Sequence, residues 1–261
     1  MLYLYAKVGK MAARNAVRAW PAALSLIVYA LILYPVGLVT QSLGIVGGFV
    51  VGLVAAACWS SYLELISQAV AGAAIRVRWH EFKSTFLARF WDVISVMFAF
   101  WIIGYAVRAV VGTVAQGAPQ VNPSALSAIF GIAMAFFFNA VPELLYQGNT
   151  RSFALLLASA RFMLANPVVW LLPNIVFAAL ILAAGGGLHF QRPAEVLLAF
   201  GNTFSSPIGV LGLFAGLPLW GLPLALFGVH YAMIFRGLLY RELSGSGGNA
   251  RLRAFQAHMR R

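Results

Sequence analysis

The sequence predicts an all-α, polytopic membrane protein, and three observations carry that prediction. Hydrophobic residues make up 62% of the 261 positions and charged residues only 9%, where a soluble domain carries about 25% charged residues. Mean hydropathy is +0.88. Apolar runs of roughly 20 residues, the length a bilayer core of about 30 Å demands of a helix, recur with polar punctuation between them. Six such runs can be drawn, at 21–40, 43–66, 92–114, 125–146, 167–188 and 207–235. With the N-terminus inside, 16 of the 18 lysines and arginines fall on one side of these spans, leaving only Arg108 and Arg192 outside. Basic residues concentrate on cytoplasmic loops, so the expected topology has both termini cytoplasmic in a bacterial-type inner membrane. Cys58 is the single cysteine, which excludes an intrachain disulfide.

Residues 1–19 precede the first span. At the helical period Lys7, Lys10, Arg14 and Arg18 share a narrow face while Leu2, Tyr5, Val8, Ala12, Ala16 and Trp20 lie broadly opposite, the pattern of a helix lying in the membrane interface. The segment is too long and too patterned for the basic start of a signal peptide. Spans one and two follow, separated by Thr40, Gln41 and Ser42. On span two Gly44, Gly48 and Gly52, continued by Ala56 and Ser60, form a four-residue ladder that lets another helix approach closely, inside the chain or in a second subunit. Gly212 and Gly216 make a shorter version on span six.

Between spans two and three the interfacial design repeats. Ile75, Trp79, Phe82, Phe86 and Phe90 make one aromatic stripe, edged by Arg76 and Lys83 on one side and Arg78 and Arg89 on the other. A third copy at 152–165, ending at the Asn166-Pro167 step, is either interfacial or buried, because Phe153, Leu155, Leu156, Leu157, Phe162 and Met163 surround it. The expected organisation is therefore one six-span domain over 1–243, in units of 1–68, 69–147 and 148–243, and a flexible basic tail over 244–261. These basic interfacial helices can anchor the chain to anionic lipid headgroups or dock a cytoplasmic partner.

Ionisable groups within spans are functional candidates. Glu64 and Glu143 lie near the cytoplasmic ends of spans two and four, where they can snorkel, pair with Arg76 or Arg151, or serve a proton or substrate. Glu143 follows Pro142 and stands one turn from Asn139, making a kinked polar patch beside Phe136, Phe137 and Phe138. His230 precedes Arg236 by six residues on span six, about 9 Å along a helix. Arg108 near the outer end of span three can snorkel outward or face a cavity that attracts an anion. Pro218 and Pro223 around Gly221 should kink span six.

The run Asn139-Ala140-Val141-Pro142-Glu143, then Ser152-Phe153-Ala154-Leu155, Ser159-Ala160-Arg161 and Asn166-Pro167, resembles bacterial multi-helix proteins related to the membrane domain of glycerophosphodiester phosphodiesterases. The resemblance covers roughly residues 69–185 and implies a stand-alone membrane module without the catalytic barrel, which takes about 250 residues. The architecture alone also looks like the permease subunits of ABC-type exporters, which work with a separate cytoplasmic ATPase. No Walker A loop, HExxH, CxxC or GxSxG occurs, and His80, His189, His230 and His258 lie in separate segments without metal-like spacing. The expectation is a non-enzymatic protein without cofactor or metal. Its first expected role is that of a transport or translocation subunit working with a cytoplasmic ATPase or another membrane subunit. The alternative is a membrane-organising, lipid-binding scaffold that forms a homo-oligomer. An enzyme built from scattered intramembrane polar residues is a third class. The net charge of +12 is split among four segments separated by membrane spans, which excludes a groove-binding surface for nucleic acid.

Overall fold

The apolar face of the first segment is made of small residues, and that decides where it lies. In the computed structural model, which describes residues 1–73, 75, 87–117, 122–148, 152–184 and 221–245, α1 runs Leu2–Arg18. Val8, Ala12, Ala16 and the following Ala19 are fully buried, so α1 packs closely along the last helix, α9 (Gly221–Ser244). Lys7 Nζ meets Glu242 Oε1 at 2.9 Å, and the Tyr5 hydroxyl donates to the Val169 carbonyl at 3.0 Å. Burial pushes the Tyr5 phenol above its ordinary pKa.

Pro21 sits in the first turn of α2 (Trp20–Thr40), where its missing N–H costs nothing. A short 3-10 turn, Gln41–Leu43, and Gly44 at φ +55° reverse the chain into α3 (Gly44–Val70). The two helices pack as an antiparallel hairpin, with the Tyr29 hydroxyl donating to Ser61 Oγ at 2.8 Å. The glycine that lets the arms close is Gly47, because a Cβ there would collide with the Thr40 carbonyl. Gly44, Gly48 and Gly52 of the expected ladder would meet nothing within 4 Å among the described residues, whereas Ala56 and Ser60, one and two turns on, are fully buried. Gly47→Ala should therefore destabilise the chain by about 1–3 kcal/mol through overpacking. Gly48→Ala should be neutral or slightly stabilising through helix propensity. Parallel thermal melts in detergent compare the two.

α4 (Phe90–Gly117) leaves the bundle over much of its length. Phe98, Trp101 and Tyr105 stack in sequence at centroid separations of 5.9 and 6.2 Å on an outward face, and Arg108 is exposed beyond them. Asn122 caps α5 (Pro123–Phe137), its Oδ1 accepting from the Ser124 N–H at 2.9 Å with Pro123 in the first turn. The expected continuous span at 125–146 is broken: a turn at 138–140 separates α5 from α6 (Val141–Gln147). α7 (Ser152–Ala165) and α8 (Pro167–Ala184) meet at a 96° bend, at the Asn166-Pro167 step where proline disfavours a continuing helix. The third segment is half buried, with Leu155, Leu156 and Met163 inside and Phe153, Leu157 and Leu164 exposed.

Among the described residues four stretches are long and apolar enough to cross a membrane: Trp20–Val70, Phe90–Val114, Pro123–Gln147 and Pro223–Ser244. The bent pair Ser152–Ala165 and Pro167–Phe177 makes a fifth when counted as one broken span. Large apolar side chains cover the outside of these helices, Ile45 at 94% exposure being the extreme, as a lipid-facing surface requires. Arg76, Arg78, Trp79, Lys83 and Phe86 of the expected stripe lie outside the described residues. So do Arg151, His189, Arg192, the stretch 207–220 with Gly212, Gly216 and Pro218, and the tail 246–261. Phe90 is the first residue of α4.

Candidate functional site

The break in α5–α6 creates the site. A continuous helix would carry the Phe137 and Asn139 carbonyls in its own ladder through the Val141 and Glu143 N–H groups, but Val141 N–H turns back at 3.1 Å to the Phe138 carbonyl, which Pro142 has no N–H to serve, and the turn takes the Asn139 carbonyl out of the ladder. Ser159 Oγ, on α7, donates to the Phe137 carbonyl at 2.9 Å. Arg236, on α9, donates from Nη2 to the Asn139 carbonyl. The same guanidinium grips Glu143 with two hydrogen bonds, Nε to Oε1 at 2.7 Å and Nη2 to Oε2 at 2.9 Å. Both side chains are fully buried. This is a fork-on-fork ion pair, the strongest geometry available to these groups.

Aromatic and amide groups wall the pair. The guanidinium carbon lies 5.3 Å from the Trp170 ring centroid, a cation–π distance. Trp170 Nε1 donates to Asn139 Oδ1 at 2.8 Å, and Asn174 Nδ2 reaches the same oxygen at 3.3 Å. One amide oxygen has two lone pairs and can accept both. Phe162 packs against Trp170 and Tyr240 at centroid distances of 5.1 and 4.8 Å. Tyr146 is buried beside Gly237, its hydroxyl without a hydrogen-bond partner among the described residues.

A second polar cluster lies on the C-terminal half of α3. Arg89 Nε pairs with Glu64 Oε2 at 2.9 Å, its Nη1 donates to the Leu145 carbonyl at 2.8 Å, and its backbone N–H donates to Ser60 Oγ at 2.8 Å. Ser67 Oγ donates to the Tyr146 carbonyl. Asn15 Nδ2 and Arg241 Nη1 donate to the Ala69 and Val70 carbonyls. Two arginines, a serine hydroxyl and an asparagine amide thus cover the C-terminal carbonyls of α3 and α6, the groups a helix end leaves unpaired. Glu64 and Arg89 are each 23% exposed, so their coupling is weaker than a buried pair's. Arg89→Gln should cost about 1–2 kcal/mol, a modest ion pair plus one lost hydrogen bond. Urea or SDS unfolding, monitored by tryptophan fluorescence, measures the loss.

The structure brings Asn139 and Glu143 together as the sequence suggests, and gives each acid a partner from a distant helix or turn. Glu64 pairs with Arg89 and Glu143 with Arg236, while Arg76 and Arg151 lie outside the described residues. Arg236, assigned by the charge count to the cytoplasmic face, is fully buried. Arg108 and His230 lie apart from the cluster: Arg108 is exposed on α4, and His230 is buried against the backbone of Ala16 and Ala19. Sequence reasoning missed Arg236, Trp170 and Asn174. The available signal was the run Phe235-Arg236-Gly237-Leu238-Leu239-Tyr240, in which apolar residues continue for a full turn beyond the arginine. Chemically, both Glu143 oxygens are already engaged, so this arrangement fixes helices and offers no free carboxylate to a ligand. The chain matches no family model, no curated protein and no solved structure.

Proposed function

We propose that the chain is a non-enzymatic integral membrane protein of six spans with both termini cytoplasmic, acting as a membrane-organising scaffold. Six spans follow when the α2–α3 hairpin is read as two crossings, α4 and α5–α6 as one each, the bent α7–α8 pair as the fifth and α9 as the last. The observation that carries the scaffold reading is the Glu143 carboxylate, both oxygens of which accept from the buried Arg236 guanidinium, which also donates to the Asn139 carbonyl and so ties α9 to the broken helix. A transport subunit driven by a cytoplasmic ATPase is the second reading. It is favoured by two interrupted helices, at 138–140 and at Asn166-Pro167, since broken helices surround the sites of many transporters. Purification in mild detergent with identification of what travels with the chain separates them. A homo-oligomer carrying ordered lipid supports the scaffold; a stoichiometric ATPase overturns it in favour of transport.

A further inference from the structure

α1 has three faces, and among the described residues one of them is buried against the bundle. Val8, Ala12, Asn15 and Ala16 are buried against the bundle. About 120° around the helix lie Leu2, Ala6, Ala13 and Val17, with Leu2 85% and Val17 64% exposed. About 90° further lie Lys10, Arg14 and Arg18, all exposed and without an ion pair among the described residues. Lys7 alone of the basic set is taken, by Glu242. α1 contains no acidic residue to neutralise the others. A purely solvated helix needs no apolar strip beside its charges, and a purely protein-packed helix would bury it. An apolar strip edged by cations matches a molecule that presents acyl chains and a negative headgroup side by side.

We propose that the Lys10–Arg14–Arg18 face of α1 is a binding surface for anionic phospholipid, the headgroup phosphate lying along the three cations and the acyl chains against Leu2 and Val17. The surface discriminates charge, because its polar side carries three positive groups and α1 has no carboxylate to meet a choline ammonium. Binding there clamps α1 onto α9 through the buried face and so stabilises the whole bundle.

The inference rests on the membrane reading above, and its test keeps the two apart. Purified protein in mixed micelles with phosphatidylglycerol should melt roughly 5 °C higher than with phosphatidylcholine. The triple variant Lys10→Gln, Arg14→Gln, Arg18→Gln should lose most of that difference. Arg161→Gln, an exposed cation on α7, should keep it. The wild-type shift should shrink as salt rises. An equal shift in the triple variant, or one reproduced by inorganic phosphate alone, overturns the proposal. If the triple variant does not fold, a salt-independent shift in the wild type does the same. Capture of an acidic protein that phosphatidylglycerol cannot displace also overturns it. Release of the chain from membranes by alkaline carbonate would instead sink the membrane reading.

Discussion

Arg236→Met is expected to destabilise the protein by about 3–5 kcal/mol, because it leaves the Glu143 carboxylate fully buried with nothing to balance it. Glu143→Gln should cost a similar amount for the opposite charge. The double variant Glu143→Gln, Arg236→Met should recover much of the loss, since replacing both members of a buried pair removes the desolvated charges together. Recovery should be incomplete. The Asn139 carbonyl that Arg236 satisfied stays orphaned in the double variant, at about 1–3 kcal/mol, and the Trp170 face loses its cation. A double-mutant cycle read by thermal melting gives the coupling directly. Single losses below about 1 kcal/mol, the range of exposed pairs, would show that water reaches the cluster.

A smaller change at the same place tests the amide wall. Asn139→Leu should cost about 1–3 kcal/mol, because Trp170 Nε1 loses its acceptor inside the bundle. Trp170→Phe in the Asn139→Leu background should restore part of it, by removing the stranded donor. A shift in the tryptophan emission of Asn139→Leu would accompany the loss.

What could be read from the sequence follows from what each signal reports. Apolar run length is a local property, so the first three expected spans, 21–40, 43–66 and 92–114, sit within a few residues of Trp20–Thr40, Gly44–Val70 and Phe90–Gly117. The amphipathic period of residues 1–19 is equally local, and α1 occupies Leu2–Arg18. Pairing is not local. Glu143 and Arg236 are 93 residues apart, and a charge count along loops assigns a side of the membrane without assigning a depth. Arg89 shows the same limit: as an edge of an aromatic stripe it looked interfacial, yet the turn at 87–89 delivers it to Glu64 and Leu145. The glycine ladder divides within the chain, with Ala56 and Ser60 buried and Gly44, Gly48 and Gly52 meeting nothing within 4 Å among the described residues. Spacing identifies which positions could approach a neighbour, but the reversal at Gly44 rotates the hairpin so that Gly47, one residue off the ladder, meets Thr40.

Gly237 is where the bundle tolerates least. A Cβ at this position would overlap the Tyr146 hydroxyl and come within 2.6 Å of Val70 Cγ2 and 3.3 Å of Gln147 Nε2. Those three neighbours come from α6 and the end of α3, and Gln147 Nε2 also donates to the Gly237 carbonyl at 2.8 Å. The backbone of α9 is thus pressed against two other helices one residue after the arginine that grips Glu143. Gly237→Ala cannot relax outward without drawing Arg236 off the carboxylate, so it should cost at least the 1–3 kcal/mol of ordinary overpacking. With part of the buried pair strained, the loss should approach that of Arg236→Met. Gly237→Val should prevent folding. Tyr146→Phe removes the atom in closest conflict, a hydroxyl that has no hydrogen-bond partner among the described residues, so it should be nearly silent alone. Combined with Gly237→Ala it should return about half of the lost stability, and adding Val70→Ala should return more. If Tyr146→Phe gives no rescue while Val70→Ala alone does, the close approach is set by α3 and not by α6, and the platform holding Arg236 is the hairpin.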